Sequence, residues 1–388
     1  MNLVLTLVFS LSLLTAFFAM VGYPLLLKLL DWLIKPDPIA KDTSYEPTVT
    51  YMIVAHNEEK VIKDKLLNSL QIEYPSDKLE VLVAADNCTD ATCEIVKEFS
   101  REHPEMKLTL YQTKERKGKT NAQNEAQKLV TSELLVMTDA NSMVKADAVR
   151  ELVTSFSSDD IVYVCGKLVY SNSDNLTADS ESSYWDIDLA MRDIESRFKT
   201  ITAGNGALYA CRNDSYIDFP PAHCHDSSMP YEYAIRGKRC LFEPKAVAVE
   251  KAGENDSDEF GRKVRMNRII PRTLANGFKI LNVFKYGYFS LFFFGHRICR
   301  YSLWIAHLAA FIAPMIGGIL GNVFWLSVLT AEIVAYALAV VARVMKPKSK
   351  LLRLWGYYVM TVAAQLVGVC RVIVGKSNGT WEKAESTR

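Results

Sequence analysis

The sequence predicts an α/β domain with a mostly parallel sheet, set between membrane helices. Three observations carry this. Apolar stretches lie towards both ends of the chain, short β-branched runs alternate with amphipathic segments between them, and successive runs stop at polar clusters. The 388 residues are 49% apolar with a net charge of +1, and nothing in that balance points to nucleic acid.

The first stretch, Leu3 to Leu27, has no charged residue and is long enough to cross a bilayer as a helix. It lacks a basic start and a small-residue cleavage site, so residues 1–34 read as an anchor rather than a removed signal. Lys28, Lys35 and Lys41 follow, which puts the domain 35–260 in the cytoplasm, at the plasma (inner) membrane.

Within that domain "TVTYMIVA" (48–55) is the first strand and ends at "HNEE"; Val61, Ile62, Leu66, Leu67 and Leu70 then recur at helical spacing. "LEVLVAAD" (79–86) ends in "DNCTD" and leads into a helix near 91–99. "KLTLYQT" (107–113) is the third strand, and "ELLVMTD" (133–139), after a helix starting near Lys119, is the fourth. Apolar runs of this kind between helices are buried on both faces, hence parallel with right-handed crossovers. Such sheets bind ligands beyond the carboxyl ends of their strands, where "HNEE", "DNCTD" and "TDAN" all fall. One such cluster is ordinary turn chemistry; three together indicate a ligand site.

Residues 261–295 are basic and apolar by turns, as in helices lying on an anionic membrane surface. The block 296–346 has the length of two spans and basic residues at both ends, which fits a hairpin. In 347–388 a third apolar segment, Leu354 to Val374, either spans or re-enters, and its basic flanks incline it to the second. The eight cysteines show no CxxC pair and no zinc spacing, and read as cytoplasmic thiols.

"ERKGKT" fails as a phosphate loop, because Thr113 stands where its first glycine belongs. "GNGALY" fails as a dinucleotide fingerprint, with Tyr209 in place of the third glycine. What remains is distributed: "VAHNEE", "ADNCTD", "KGKTNAQNEA", "TDAN", "GNGALYACR", "HD" upstream of an "RG" turn, and "FGRKVRM". In this order and spacing the chain resembles the inverting family 2 glycosyltransferases, in particular the membrane-embedded cellulose, hyaluronan and poly-N-acetylglucosamine synthases.

The resemblance implies a GT-A-type nucleotide-sugar domain with one N-terminal and two to three C-terminal membrane helices. It implies a UDP-sugar donor, a Mg2+ or Mn2+ ion, and transfer with inversion to a growing polysaccharide coupled to export. Addition of one sugar to a polyprenyl-linked acceptor is the alternative. A catalytically dead nucleotide-sugar-binding subunit is a third reading, against which stand Asp86, Asp139, Asp226 and Arg265.

By the same resemblance His56, Asn57 and Glu58 face the nucleotide, and Asp86 accepts a hydrogen bond from uracil with Asp90 nearby. Asn57 and Asp90 equally suit helix caps. Lys119 suits a diphosphate through its charge and the helix dipole, or belongs to a solvated basic turn with Arg116 and Lys117. Asp226 is the general base, with His225 where the family has an acid; its other reading is a helix cap. Gly204, Asn205 and Gly206 make an acceptor loop or a plain turn, and Trp185 stacks on a sugar or packs a core. Arg265 matches the family's Gln-x-x-Arg-Trp signature and would stabilise the departing diphosphate, while Arg262 and Met266 replace its glutamine and tryptophan. That missing tryptophan puts processivity in question. At Asp139 and Asn141 an Asp-x-Asp has lost its second carboxylate. The cation is then held chiefly by Asp139 and the nucleotide's phosphates, with His223 or His225 as a further ligand.

Overall fold

In the computed structural model, residues 1–171, 176–251 and 256–376 are described. They form two compact units: a sheet unit from the described residues of 36–172 and 189–252, and a helical unit from those of 1–35, 173–188 and 253–377.

The sheet unit has eight strands: β1 (Val49–Ala55), β2 (Leu79–Ala85), β3 (Leu108–Gln112), β4 (Leu134–Asp139), β5 (Met143–Val144), β6 (Ile161–Tyr170), β7 (Leu208–Arg212) and β8 (Arg239–Glu250). Their spatial order is β3-β2-β1-β4-β7-β6-β8-β5. β1 runs parallel to β2 and β4, and β2 to β3, as the alternation of strand and helix predicts. Beyond β4 the sheet becomes mixed: β7 is antiparallel to β4 and β6, while β8 is parallel to β6 and antiparallel to β5. This is the curled, mostly parallel sheet of a GT-A fold.

In β1 and β4 nearly every residue is buried, and successive side chains join opposite core layers with the strand's period of two. Tyr51, Ile53, Leu134 and Val136 join one core layer, and Met52, Leu135 and Met137 the other. The same alternation sends Thr138 and Asp139, at the end of β4, to opposite faces. The helix Ile62–Leu70 covers the first face with Ile62 and Leu66, and the helix Lys119–Gln127 covers the second with Ala122 and Ala126.

In the helical unit three helices are long and apolar enough to cross a membrane: Asn2–Ile34, Val323–Met345 and Lys350–Ile373. The helix Leu303–Ile319 reaches that length only together with Tyr288–Cys299, from which it is bent by 53°. The expected hairpin therefore has a broken first arm. The π-helical turn Phe293–Cys299 carries it across position 295, where the sequence suggested a change from interfacial to spanning chain. Lys350–Ile373 is one unbroken helix with Gln365 buried inside it, and so lacks the turn that re-entry requires.

Small residues let these helices approach closely. A Cβ on Gly295 would lie 2.0 Å from the ring of Tyr23, and one on Gly368 2.7 Å from the carbonyl oxygen of Val264. The second contact packs the helix Asp256–Met266 against Lys350–Ile373, with Lys263 and Val264 buried. In the next helix, Ile270–Ile280, Ile270 and Ile280 are buried and Phe278 is 80% exposed.

Two carboxylates of this unit, Asp188 and Glu259, are buried and paired. Asp188 accepts from His296 Nε2 at 2.9 Å and from Arg300 Nη1 at 2.8 Å. Glu259 accepts from Arg262 Nε at 2.8 Å and from the Tyr357 hydroxyl at 3.1 Å, with Lys263 Nζ at 3.5 Å. Burial opposes the charge of Glu259, but Arg262, Lys263 and the hydrogen bonds from Arg262 and Tyr357 outweigh it and hold its pKa at about 2.

Candidate active site

The polar clusters at the ends of β1, β2 and β4 lie side by side, because those strands are neighbours in register. Asn57 adopts a left-handed conformation (φ 53°). Its Oδ1 accepts from Thr89 N at 2.8 Å and its Nδ2 donates to Thr89 Oγ1 at 3.1 Å. It therefore ties the first cluster to the second and does not cap the following helix, whose cap position is Val61. Asp90 stands one residue before the cap position of its helix, Ala91: its Oδ1 accepts from Thr92 N at 3.0 Å, while Oδ2 accepts from Glu59 N at 3.2 Å. Glu58 is buried, and its N–H donates to Thr92 Oγ1 at 2.7 Å. His56 places Nδ1 2.6 Å from the carbonyl oxygen of Asp86.

The Asp86 carboxylate is buried and accepts from Lys117 N at 3.1 Å and Gly118 N at 2.8 Å. Its visible work is to hold the loop that starts the Lys119 helix, a task that its place in "ADNCTD" does not announce. Gly118 takes φ 94° there, a conformation open to glycine.

Three charged side chains then converge around one glycine. A Cβ on Gly206 would lie 2.9 Å from Lys119 Nζ, 3.5 Å from Asp139 Oδ2 and 3.8 Å from Asp226 Oδ2. Lys119 Nζ donates to Asp139 Oδ1, and to the Gly206 carbonyl oxygen at 3.4 Å. Burial works against the Lys119 ammonium, yet Asp139 and Asp226 hold its pKa above the ordinary value. For Asp226, burial pushes the carboxyl up, Lys119 pulls it down and Asp139 pushes it up again; the net shift is upward. A half-buried carboxylate with a raised pKa suits a general base.

The glycine loop, Gly204 to Gly206, is held in place by the protein on two sides. What comes close to its backbone is the protein itself: a Cβ on Gly204 would lie 2.0 Å from the Tyr163 hydroxyl. Gly204 N donates to the Asp226 carbonyl oxygen at 2.8 Å, and Asn205 Nδ2 donates to the Gly166 carbonyl oxygen at 2.8 Å. The first contact ties the loop to the helix His225–Ile235, which carries Asp226 in its first turn; the second ties it to β6. The cap position of that helix is Cys224, so the capping role weighed for Asp226 does not apply.

His225 is fully engaged: Nε2 lies 2.8 Å from the Tyr216 hydroxyl and Nδ1 2.9 Å from Gln123 Oε1. Burial, then Lys119, push its pKa down to about 3, so it stays neutral. With both nitrogens taken it is no metal ligand, contrary to the sequence expectation. It anchors the Asp226 helix to the Lys119 helix. The carbonyl oxygen of His223 accepts from Thr120 Oγ1.

Among the described residues no three His, Cys, Asp or Glu side chains converge on one point. Asp139 and Asp226, with Lys119 between them, fit a hard cation only if most of its ligands are oxygens of another molecule. Asn141 lies half-buried in the turn after β4. Trp185 and Arg265 belong to the helical unit, both half-buried.

Sequence reasoning missed Gln123, Tyr163 and Lys65. Lys65 is fully buried and donates to the Tyr51 hydroxyl at 2.8 Å, to Thr138 Oγ1 at 3.1 Å and to the Ser142 carbonyl oxygen.

The family profile described as "Glycosyltransferase like family 2" matches residues 47–268, which include every strand and the whole converging cluster. The chain belongs to this family. It is 34% identical over 115 residues to a probable glycosyltransferase of Bacillus subtilis, covering 29% of this chain and 27% of that one. It is 30% identical over 115 residues to a beta-monoglucosyldiacylglycerol synthase of a Nostoc species, covering 30% and 25%. It is 28% identical over 108 residues to a poly-beta-1,6-N-acetyl-D-glucosamine synthase of Staphylococcus epidermidis, covering 28% and 25%. The matched stretch thus spans about a quarter of each curated relative. Among solved structures, a mannosyltransferase from Pyrobaculum calidifontis, in complex with GDP-Man and Mn2+, superposes with a TM-score of 0.75 at 23% identity. The match covers 95% of this chain and 99% of that one, and shows the shared fold.

Proposed function

We propose that this family 2 glycosyltransferase works at the plasma membrane, with its sheet unit in the cytoplasm. In this reading it transfers a sugar from a UDP-sugar, with inversion, to a saccharide acceptor. The observation that carries the reading is the placement of Lys119, Asp139 and Asp226 around Gly206, beyond the carboxyl ends of the parallel strands. Asp226 takes the proton of the acceptor hydroxyl through its carboxylate as that oxygen attacks the anomeric carbon. Lys119 moves its ammonium from Asp139 to the donor's diphosphate and balances the charge that develops there. Asp139 and Asn141 would hold Mg2+ or Mn2+, which supplies further positive charge to the leaving group. The bound GDP-Man and Mn2+ of the Pyrobaculum mannosyltransferase support a nucleotide-sugar donor and a divalent ion. His56, Asn57, Asp86 and Asp90 frame the nucleoside end. The role given to Arg265 rests on the family signature.

A growing polysaccharide is one acceptor, and a poly-N-acetylglucosamine synthase among the relatives supports it. A single lipid-linked sugar is the other. Met266, 46% exposed where the polymerising enzymes carry tryptophan, favours this second reading, as does the glucolipid synthase among the relatives.

The purified full-length enzyme, given radiolabelled UDP- and GDP-sugars with Mn2+, tests both. Transfer from a UDP-sugar giving a product of inverted anomeric configuration supports the proposal, and retention of configuration overturns it. A ladder of products identifies polymerisation, and one lipid-extractable product identifies single addition.

A further inference from the structure

Lys65 is a buried lysine to which the chemistry above gives no task. It comes from the helix Ile62–Leu70, on the face of the sheet opposite Lys119. A lysine amine without exposed surface is costly to bury unless polar groups surround it. Here those groups are chosen by position. Thr138 and Ser142, which accept hydrogen bonds from Lys65, bracket Asp139, Ala140 and Asn141. One helical turn further on, Asn68 Nδ2 donates to the Val144 carbonyl oxygen at 2.9 Å, and Asn68 Oδ1 accepts from Val144 N at 2.9 Å. Ser142 Oγ in turn donates to Glu250 Oε1 on β8. The segment 138–144 is thus gripped from behind by one helix face, while Lys119 meets Asp139 from in front.

We propose that Lys65 is a positioning residue for sugar transfer: by holding Thr138 and the Ser142 carbonyl it fixes the turn that presents Asp139 and Asn141 to the donor's diphosphate and its cation. The inference rests on the reading of that turn given under Proposed function. Lys65 acts through the turn and touches no reacting atom. Residues that orient a ligand from behind commonly change metal affinity or activity by about 10–100-fold when removed.

The test uses the full-length protein in nanodiscs, with UDP binding measured by calorimetry in the presence and absence of Mn2+. The wild type should bind UDP more tightly with Mn2+. Lys65→Met should keep its metal-free UDP affinity within about twofold and lose about tenfold or more of the Mn2+-dependent gain. Thr138→Val, which leaves the lysine in place and removes its acceptor together with the hydroxyl's hydrogen bond to the Ala207 carbonyl oxygen at 2.7 Å, should lose part of that gain; it decides the matter if Lys65→Met does not fold. A variant that retains the full gain overturns the proposal. So does one that loses metal-free and metal-dependent binding equally, since that is the mark of a purely structural lysine. If the wild type shows the gain with GDP instead of UDP, the uridine donor assigned under Proposed function fails and the variants are compared with GDP. If it shows the gain with neither, the turn is not a diphosphate site and the role of Lys65 falls with it.

Discussion

Both units bury carboxylates, but they surround them differently. In the helical unit Asp188 accepts from both His296 and Arg300, and Glu259 meets Arg262, Lys263 and Tyr357. In the sheet unit Asp139 and Asp226 stand on either side of Lys119. Carboxylates that draw two or more donors each are fixed, and their charge is neutralised within the fold. Carboxylates that share a cation keep negative charge for something that arrives. The first arrangement builds a scaffold and the second builds a site, and substitutions should separate them.

The largest effect is expected at Asp226. Asp226→Asn should lower kcat by about 10²–10⁴-fold, the usual worth of general acid–base catalysis, with little change in UDP affinity by calorimetry. Full activity in that variant would remove Asp226 from the chemistry. In the helical unit, Asp188→Asn leaves His296 and Arg300 without their carboxylate. It should destabilise the protein by about 3–5 kcal/mol, read as a lower apparent Tm in nanodiscs, with UDP affinity unchanged in the protein that remains folded. A loss of affinity without a loss of stability would break the division drawn above.

Gly206→Ala puts a methyl group 2.9 Å from Lys119 Nζ, an atom already held by Asp139. It should reduce kcat/KM by about tenfold to a hundredfold, as small displacements at reacting centres do, with an apparent Tm close to that of the wild type. The smallest effect is a pH dependence. Glu259 has its pKa lowered from 4.5 to about 2, so the stability it contributes is fully present above about 4.5 and is lost as the pH falls towards 2. The gap in apparent Tm between the wild type and Glu259→Gln should therefore narrow on acidification through that window. A constant gap would show that the charge of Glu259 does not matter to the scaffold.

The parallel half of the sheet and the strand-end clusters were legible because each is a local pattern: an apolar run, then a polar turn. The mixed half was not assigned, since an antiparallel return such as β7 is recognised only by what it pairs with. Lys65 was hidden for a similar reason. On a helix with Ile62 and Leu66 it looks like an ordinary solvated charge, and its partners Thr138 and Ser142 lie more than seventy residues away in sequence. His225 looked like a metal ligand beside an aspartate until the fold placed Gln123 and Tyr216 on its two nitrogens. Arg300 read only as part of a basic flank because its partner Asp188 lies more than a hundred residues away in sequence.

The ion pair between Lys119 and Asp139 has a consequence for the order of events. A divalent ion that reaches the resting protein first must compete with an ammonium already seated on its principal ligand. A metal–nucleotide complex brings the phosphates that draw the ammonium away. Initial-rate kinetics should therefore show the ion and the donor entering together, with free metal a poor first substrate.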